Sequence, residues 1–261
     1  MAKPRVLIVR APGTNCDIET AFAFELAGAE TQRLHVNQII EHPRLAEQFQ
    51  ILCFPGGFSY GDDIAAGRIA AVQWQTRLSD TLAQFRSEDR LVLGICNGFQ
   101  IMMRLGIFFD DEADETPATL TWNRQARFES RWVHLKPESD HCVFLRGISE
   151  IYLPMAHAEG RFLMRDAATH QKLQAFNQIA LRYCDPHGAT GDGELSFPWN
   201  PNGAQANVAG ICDASGRVFG LMPHPERFLF PTNHPNWTRM EKLPEHGDGL
   251  KLFQNAVTYF N

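Results

Sequence analysis

The stretch Leu91-Val-Leu-Gly-Ile-Cys96-Asn-Gly-Phe-Gln100 constrains this chain more than any other. An apolar run with the character of a buried strand leads without a linker into Gly94-x-Cys96-x-Gly98, and from there directly into a helical pattern. A strand that turns straight into a helix belongs to a largely parallel sheet covered by helices, so the segment points to an α/β fold. The turn brings the Cys96 side chain to the carboxyl edge of that sheet. The flanking glycines allow the close backbone approach that the turn demands, and the helix N-terminus favours a thiolate. This is a nucleophile elbow built with sulfur, a pattern expected by chance in only about 0.03 windows of a chain with this composition.

The rest of the first half agrees with that architecture. Val6 to Val9 reads as a buried strand, followed by the loop Ala11 to Asn15 and a helix capped near Asp17. Ile18, Phe22 and Leu26 mark that helix by their four-residue spacing, and Gly28 ends it. Thr31 to Val36 and Gln50 to Phe54 are further strands, and Ile64 to Phe85 carries helix-period apolar positions. After Gly106 the pattern changes. Thr119 to Leu135 and Val143 to Met155 alternate like half-buried antiparallel strands, while Leu163 to Phe176 reads as a helix. Ile179 to Tyr183, Asn207 to Cys212 and Arg217 to Met222 are strands, the last two forming a hairpin across residues 213 to 216, and Gly249 to Tyr259 is helical. Residues 185 to 203 and 230 to 245 are long irregular stretches of the kind used as lids, binding loops or partner surfaces.

Composition excludes several classes of function. A formal charge of −6 with no basic run argues against nucleic-acid binding. The acidic cluster Asp110, Asp111, Glu112, Asp114 and Glu115 reads as a solvated loop. No apolar window is long enough to cross a membrane, and residues 1 to 10 lack the features of a secretory signal, so a cytoplasmic location is expected. Six single cysteines with no C-x-x-C pair do not form a disulfide framework or a zinc ribbon, and several sit in apolar runs as small hydrophobes.

A cysteine nucleophile needs a base, and the base needs an acceptor to orient it. Two His-x-Glu pairs qualify, His224-Pro-Glu226 and His157-Ala-Glu159. Each follows a strand, and in extended chain residues two apart point to the same side. Spacing alone does not choose between them. Neither belongs to a metal motif, since the downstream Pro-Cys-x-x-Cys of the zinc deaminases and the His-Glu-x-x-His of the zincins are both missing from the sequence. His35, His42 and His134 have no such partner and read as surface or capping residues. A third element, Phe54-Pro-Gly-Gly-Phe-Ser-Tyr-Gly-Asp62, is a glycine loop directly after a strand. It is no P-loop, because the chain contains no Gly-Lys dipeptide. Beside a cysteine elbow it suits an oxyanion hole, with the N–H groups of Gly57 and Asn97 as donors.

Together, Gly94-Ile-Cys96-Asn-Gly-Phe-Gln100, Pro55-Gly-Gly and Pro223-His-Pro-Glu-Arg227 resemble the class I (triad) glutamine amidotransferases. Ala11-Pro-Gly-Thr-Asn-Cys-Asp17, Ala156-His-Ala-Glu-Gly160, Asn200-Pro-Asn-Gly203 and Asp248-Gly-Leu-Lys-Leu-Phe-Gln254 extend the resemblance, in order and over nearly the whole chain, to one family within that class. These are the glutaminase subunits of phosphoribosylformylglycinamidine synthases. The resemblance implies a flavodoxin-like parallel or mixed central sheet flanked by helices, with antiparallel strands in the second half, in one amidotransferase domain spanning residues 1 to 261. It implies Cys96, His224 and Glu226 as catalytic residues, and Gly56, Gly57, Asn97 and Gln100 at the oxyanion and glutamine site, with no metal. It further implies that L-glutamine is hydrolysed and its ammonia passed to a synthetase large subunit, helped by a small accessory subunit. That synthetase would use ATP and Mg to make the amidine of formylglycinamide ribonucleotide, this chain itself holding no cofactor. Another cysteine hydrolase of the same fold, of peptidase or stress-response type, is the competing reading. The chain departs from the family in longer loops near 110–122, 185–203 and 230–245, and in Ala204, where serine is usual.

Overall fold

In the computed structural model, residues 3–109, 116–191 and 193–261 are described. Uninterrupted Val, Ile and Leu runs suit strands covered on both faces. Accordingly β1 (Arg5–Arg10), β3 (Ile51–Phe54) and β4 (Leu91–Ile95) are buried through their centres, while the polar β2 (Glu30–His35) lies at an edge. Between them run α1 (Asp17–Leu26), α2 (Val36–Glu41), α3 (Arg68–Arg77) and α4 (Ser79–Ser87), and α5 (Asn97–Leu105) follows β4. The second half adds β5 (Ala118–Thr121), β6 (Glu129–Pro137), β7 (Ile151–His157), β8 (Arg161–Met164), α6 (Ala167–Ala175), β9 (Ile179–Cys184), β10 (Val208–Cys212), β11 (Val218–Leu221) and α7 (Leu250–Thr258).

Nine strands form one sheet in the order β2-β1-β3-β4-β11-β10-β9-β6-β7. The first five are parallel, β11 closing on β4 with Val218 opposite Val92 and Leu221 opposite Ile95. That run repeats the flavodoxin-like strand order, with β11 as its fifth member. The remaining strands are antiparallel, as the alternation in the second half predicts. The hairpin from β10 to β11 is held by Asp213, whose Oδ1 accepts from the N–H groups of Arg217 and Val218 at 3.1 and 3.0 Å. β5 and β8 form a separate two-stranded ribbon. Trp74 of α3 packs edge-on against Phe54 at 4.8 Å, and Phe99 of α5 against Phe108 at 5.5 Å, which seats these helices beside the elbow.

Several expectations need correction. Ile18, Phe22 and Leu26 identify α1 but face outward, with 64%, 45% and 40% of their surface exposed, because Ala21, Ala23 and Phe24 form the face against the sheet. Small alanines let the helix lie close, so packing follows volume rather than hydrophobicity alone. Asp17 is the first helical residue rather than a cap, and its carboxylate pairs with Arg10 and Arg33. The helical pattern over 64–85 breaks at Leu78 into two helices. Val36, expected to end the preceding strand, instead opens α2, and the His35 side chain caps that helix by accepting from Asn37 N–H. Leu163 and Met164 belong to β8, so the helix expected from Leu163 starts only at Ala167, where Asp166 caps it. Val143 to Leu145 is a short turn rather than strand. The acidic run Asp110 to Glu115 lies outside the described residues.

Candidate active site

The elbow forms where β4 meets α5. Cys96 has φ 50° and ψ −105°, a left-handed conformation that costs a non-glycine residue about 1–3 kcal/mol and persists only where surrounding structure enforces it. Two backbone bonds do so. Cys96 N–H donates to Leu221 of β11 at 2.8 Å, and Gln100 N–H donates to the Cys96 carbonyl at 3.0 Å, opening the helix. Gly98 is required by contact: a Cβ there would lie 1.8 Å from the Phe54 carbonyl oxygen. Helix α5 can therefore cross β3 only with hydrogen at that position.

His224 follows β11, and its N–H donates to the Pro154 carbonyl of β7 at 2.8 Å. Pro225 keeps His224 extended and starts a short turn that carries Glu226 back beneath the ring. His224 Nδ1 and Glu226 Oε1 are 2.6 Å apart and both side chains are buried. Burial opposes the imidazolium, but the Glu226 carboxylate, then Cys96 and Cys16, outweigh it and hold the His224 pKa well above its usual value. His224 Nε2 and Glu226 Oε2 are buried without a hydrogen bond. Gly56 lies against the ring, where a Cβ would come within 2.9 Å of Cε1. Its place in the glutamine-site set is therefore that of a spacer for the base.

The other pair does not form. His157 Nδ1 is bonded to Asn123 Oδ1 at 3.1 Å, while Glu159 Oε2 accepts from Ala66 N–H at 3.4 Å. Burial, with the nearby His224 charge adding to it, lowers the His157 pKa to about 3. Below about 6.5, the usual histidine value, the unfolded chain therefore takes up a proton that the folded chain refuses until about pH 3. In that window this residue lowers stability as pH falls, by up to about 1.4 kcal/mol per unit. Urea denaturation of His157→Gln at pH 6, 5 and 4 should show a shallower acid loss than the parent chain; equal slopes would show that His157 does not carry it.

The glycine loop is tied to the elbow through Asn97. Its Oδ1 accepts from Ser59 N–H at 3.0 Å, and its Nδ2 donates to Asp62 Oδ1 at 3.2 Å and Gln100 Oε1 at 2.9 Å. The Asn97 side chain thus works as a brace, leaving only its backbone N–H for an oxyanion. Gln100 Nε2 donates in turn to the Glu159 carbonyl at 2.5 Å. A cavity of about 250 Å³ opens at Cys96, with Gly57, Gln100, Asp62, Trp122 and Glu159 in its wall. Burial and then the neighbouring Glu159 charge raise the Asp62 pKa to about 6. A larger cavity of about 590 Å³ lies against α6, around Arg165, His170 and Arg182, with no cysteine in its wall.

Sequence reasoning missed Cys16, Arg227 and Asp62. Cys16 Sγ accepts from Arg227 Nη2 at 3.1 Å and lies beside His224, which Cys16 reaches because its loop packs on the glycine loop through Thr14 and Gly57. No local pattern joins residues 211 positions apart. The Asp62 signal was present, as a carboxylate ending the glycine loop.

Comparison with known proteins adds the decisive observation: the family model described as the CobB/CobQ-like glutamine amidotransferase domain matches residues 3–260. The chain belongs to that family. Two bacterial and archaeal members are close to this one over their whole length. The phosphoribosylformylglycinamidine synthase subunit PurQ of Dehalococcoides mccartyi is 45% identical over 99% of this chain and 98% of its own, and that of Methanococcus maripaludis is 44% identical over the same shares. Among solved structures, PurLQS from Thermotoga maritima superposes with a TM-score of 0.74 at 28% identity, covering 100% of both chains. As a CobB/CobQ-like amidotransferase the chain is an enzyme of glutamine amide transfer, and its sheet is the mixed one expected of class I members. Among the described residues no helix is long and apolar enough to cross a membrane.

Proposed function

We propose that this amidotransferase hydrolyses L-glutamine through a thioester on Cys96 and supplies the ammonia to a synthetase that makes formylglycinamidine ribonucleotide. The observation that carries the mechanism is the buried Nδ1 to Oε1 contact of 2.6 Å, which leaves His224 Nε2 unpaired beside the elbow. His224 takes the thiol proton as Cys96 sulfur bonds to the amide carbon, and Glu226 orients the ring and balances its charge. The N–H groups of Gly57 and Asn97 hold the oxyanion. The proton then passes from His224 to the leaving nitrogen, the C–N bond breaks and ammonia departs. Water, deprotonated by His224, cleaves the thioester to glutamate and restores the thiol. Asp62 and Glu159, facing the same cavity, suit the α-ammonium group of the substrate.

The two relatives named PurQ support the choice of synthetase, as does the likeness to PurLQS from Thermotoga maritima. In the probable phosphoribosylformylglycinamidine synthase of Caenorhabditis elegans the matching region is only 20% of the chain, which supports a partnership between this module and a larger synthetase. A synthetase large subunit and a small accessory subunit complete the complex, ATP and Mg act on the synthetase, and this chain holds no cofactor. Hydrolysis by the free chain is weak and rises when the liganded synthetase docks, since an uncoupled glutaminase discards nitrogen.

A glutamine-mimicking diazoketone tests the reading. With the synthetase present, peptide mass spectrometry should locate the adduct on Cys96 alone, and excess glutamine should prevent it. No adduct, or release of peptides without ammonia, would favour a different cysteine hydrolase.

A further inference from the structure

We propose that Cys16, His224 and Glu226 form a capture site for a thiophilic divalent cation such as Zn²⁺, whose binding switches hydrolysis off. One ligand atom from each residue lies within 4.8 Å of the other two, and all three side chains are buried. Sulfur, imidazole nitrogen and carboxylate oxygen are the donor set of tetrahedral zinc. Donors on zinc stand about 3.3 Å apart, so the 2.6 Å contact between His224 and Glu226 must open by less than an ångström as the ion replaces their shared proton.

Two further observations point to a ligand. Glu226 Oε2, on the carboxylate that would hold the ion, is a buried polar atom without a hydrogen bond, so it has capacity left to bind. The sulfur of Cys16, besides a 3.4 Å contact to Asn15 Oδ1, already accepts from the Arg227 guanidinium at 3.1 Å. A cation thus already sits against the thiol. Arg227 is 40% exposed and can swing to solvent, so metal binding exchanges one cation for another. The fourth position falls to water.

The ion removes the base from catalysis, a consequence that rests on the hydrolytic reading above, whereas binding itself does not. The test therefore reads binding directly. The full-length chain, freed of metal with a chelator, is titrated with Co²⁺ and the thiolate-to-cobalt charge-transfer band is followed. The band should appear in the parent chain and in Cys96→Ala and vanish in Cys16→Ala. Glu226→Gln, which keeps the sulfur, should weaken Co²⁺ at least tenfold. Zn²⁺ should displace Co²⁺ and, in the synthetase complex, inhibit glutamine hydrolysis reversibly. A band that follows Cys96 overturns the proposal, as does one that survives Cys16→Ala and so resides at the separate group of Cys212, Cys142 and His141. So does the absence of any band at millimolar Co²⁺.

Discussion

Cys96→Ala should lose glutamine-dependent synthesis by a factor on the order of 10³ or more, while synthesis from added ammonium salts in the same complex continues at the parent rate. The magnitude follows from what alanine removes. Without sulfur there is no thioester, and the remaining oxyanion donors and pocket contacts can accelerate only direct attack by water. The fold should be unaffected, because alanine keeps the Cβ, the N–H that donates to the Leu221 carbonyl and the carbonyl that accepts from Gln100 N–H. Release of glutamate and circular dichroism melting, measured on the same preparation, separate the two effects. Intact glutamine-dependent turnover would remove Cys96 from the mechanism.

Glu226→Gln should cost about 10² to 10⁴ in kcat, the scale seen when an orienting carboxylate in a catalytic triad becomes an amide. The amide can present its NH₂ to Nδ1 and favour the wrong tautomer, leaving Nε2 protonated and unable to take the thiol proton. A second signature has a defined sign. Glu226 is the largest influence raising the His224 pKa against burial, so its loss lowers the proton affinity of the ring. The limb of the pH profile governed by the imidazolium proton should move to lower pH. A variant with reduced rate and an unmoved profile would show that Glu226 acts only through packing.

How much was legible depended on how far apart the interacting residues lie. The elbow could be read because strand, turn, nucleophile and helix fall within ten consecutive positions, and the required glycines are fixed by contacts of the turn with β3 and α5. The two His-x-Glu pairs were indistinguishable by spacing and were separated only by resemblance. The structure gives the physical difference: Asn123 takes Nδ1 of His157, whereas Nδ1 of His224 is taken by Glu226. The sequence sets Asn97 and Gln100 directly after the nucleophile, but the use of the Asn97 side chain as a brace depends on Ser59 and Asp62, fixed by loop conformation. The outward face of α1 misled the hydrophobic pattern for the same reason: which side is buried is set by the distance to the sheet.

The parallel pairing of β4 with β11 has a consequence in time. Synthesis from the N-terminus makes β3 and the nucleophile strand one after the other, but the second neighbour β11 and the histidine behind it follow only after the whole antiparallel half of the sheet. Closing so long a loop is a slow, non-local step. The thiol and its base are thus strangers while the intervening strands are made, and the cell gains a reacting pair only once β11 and the segment after it have left the ribosome.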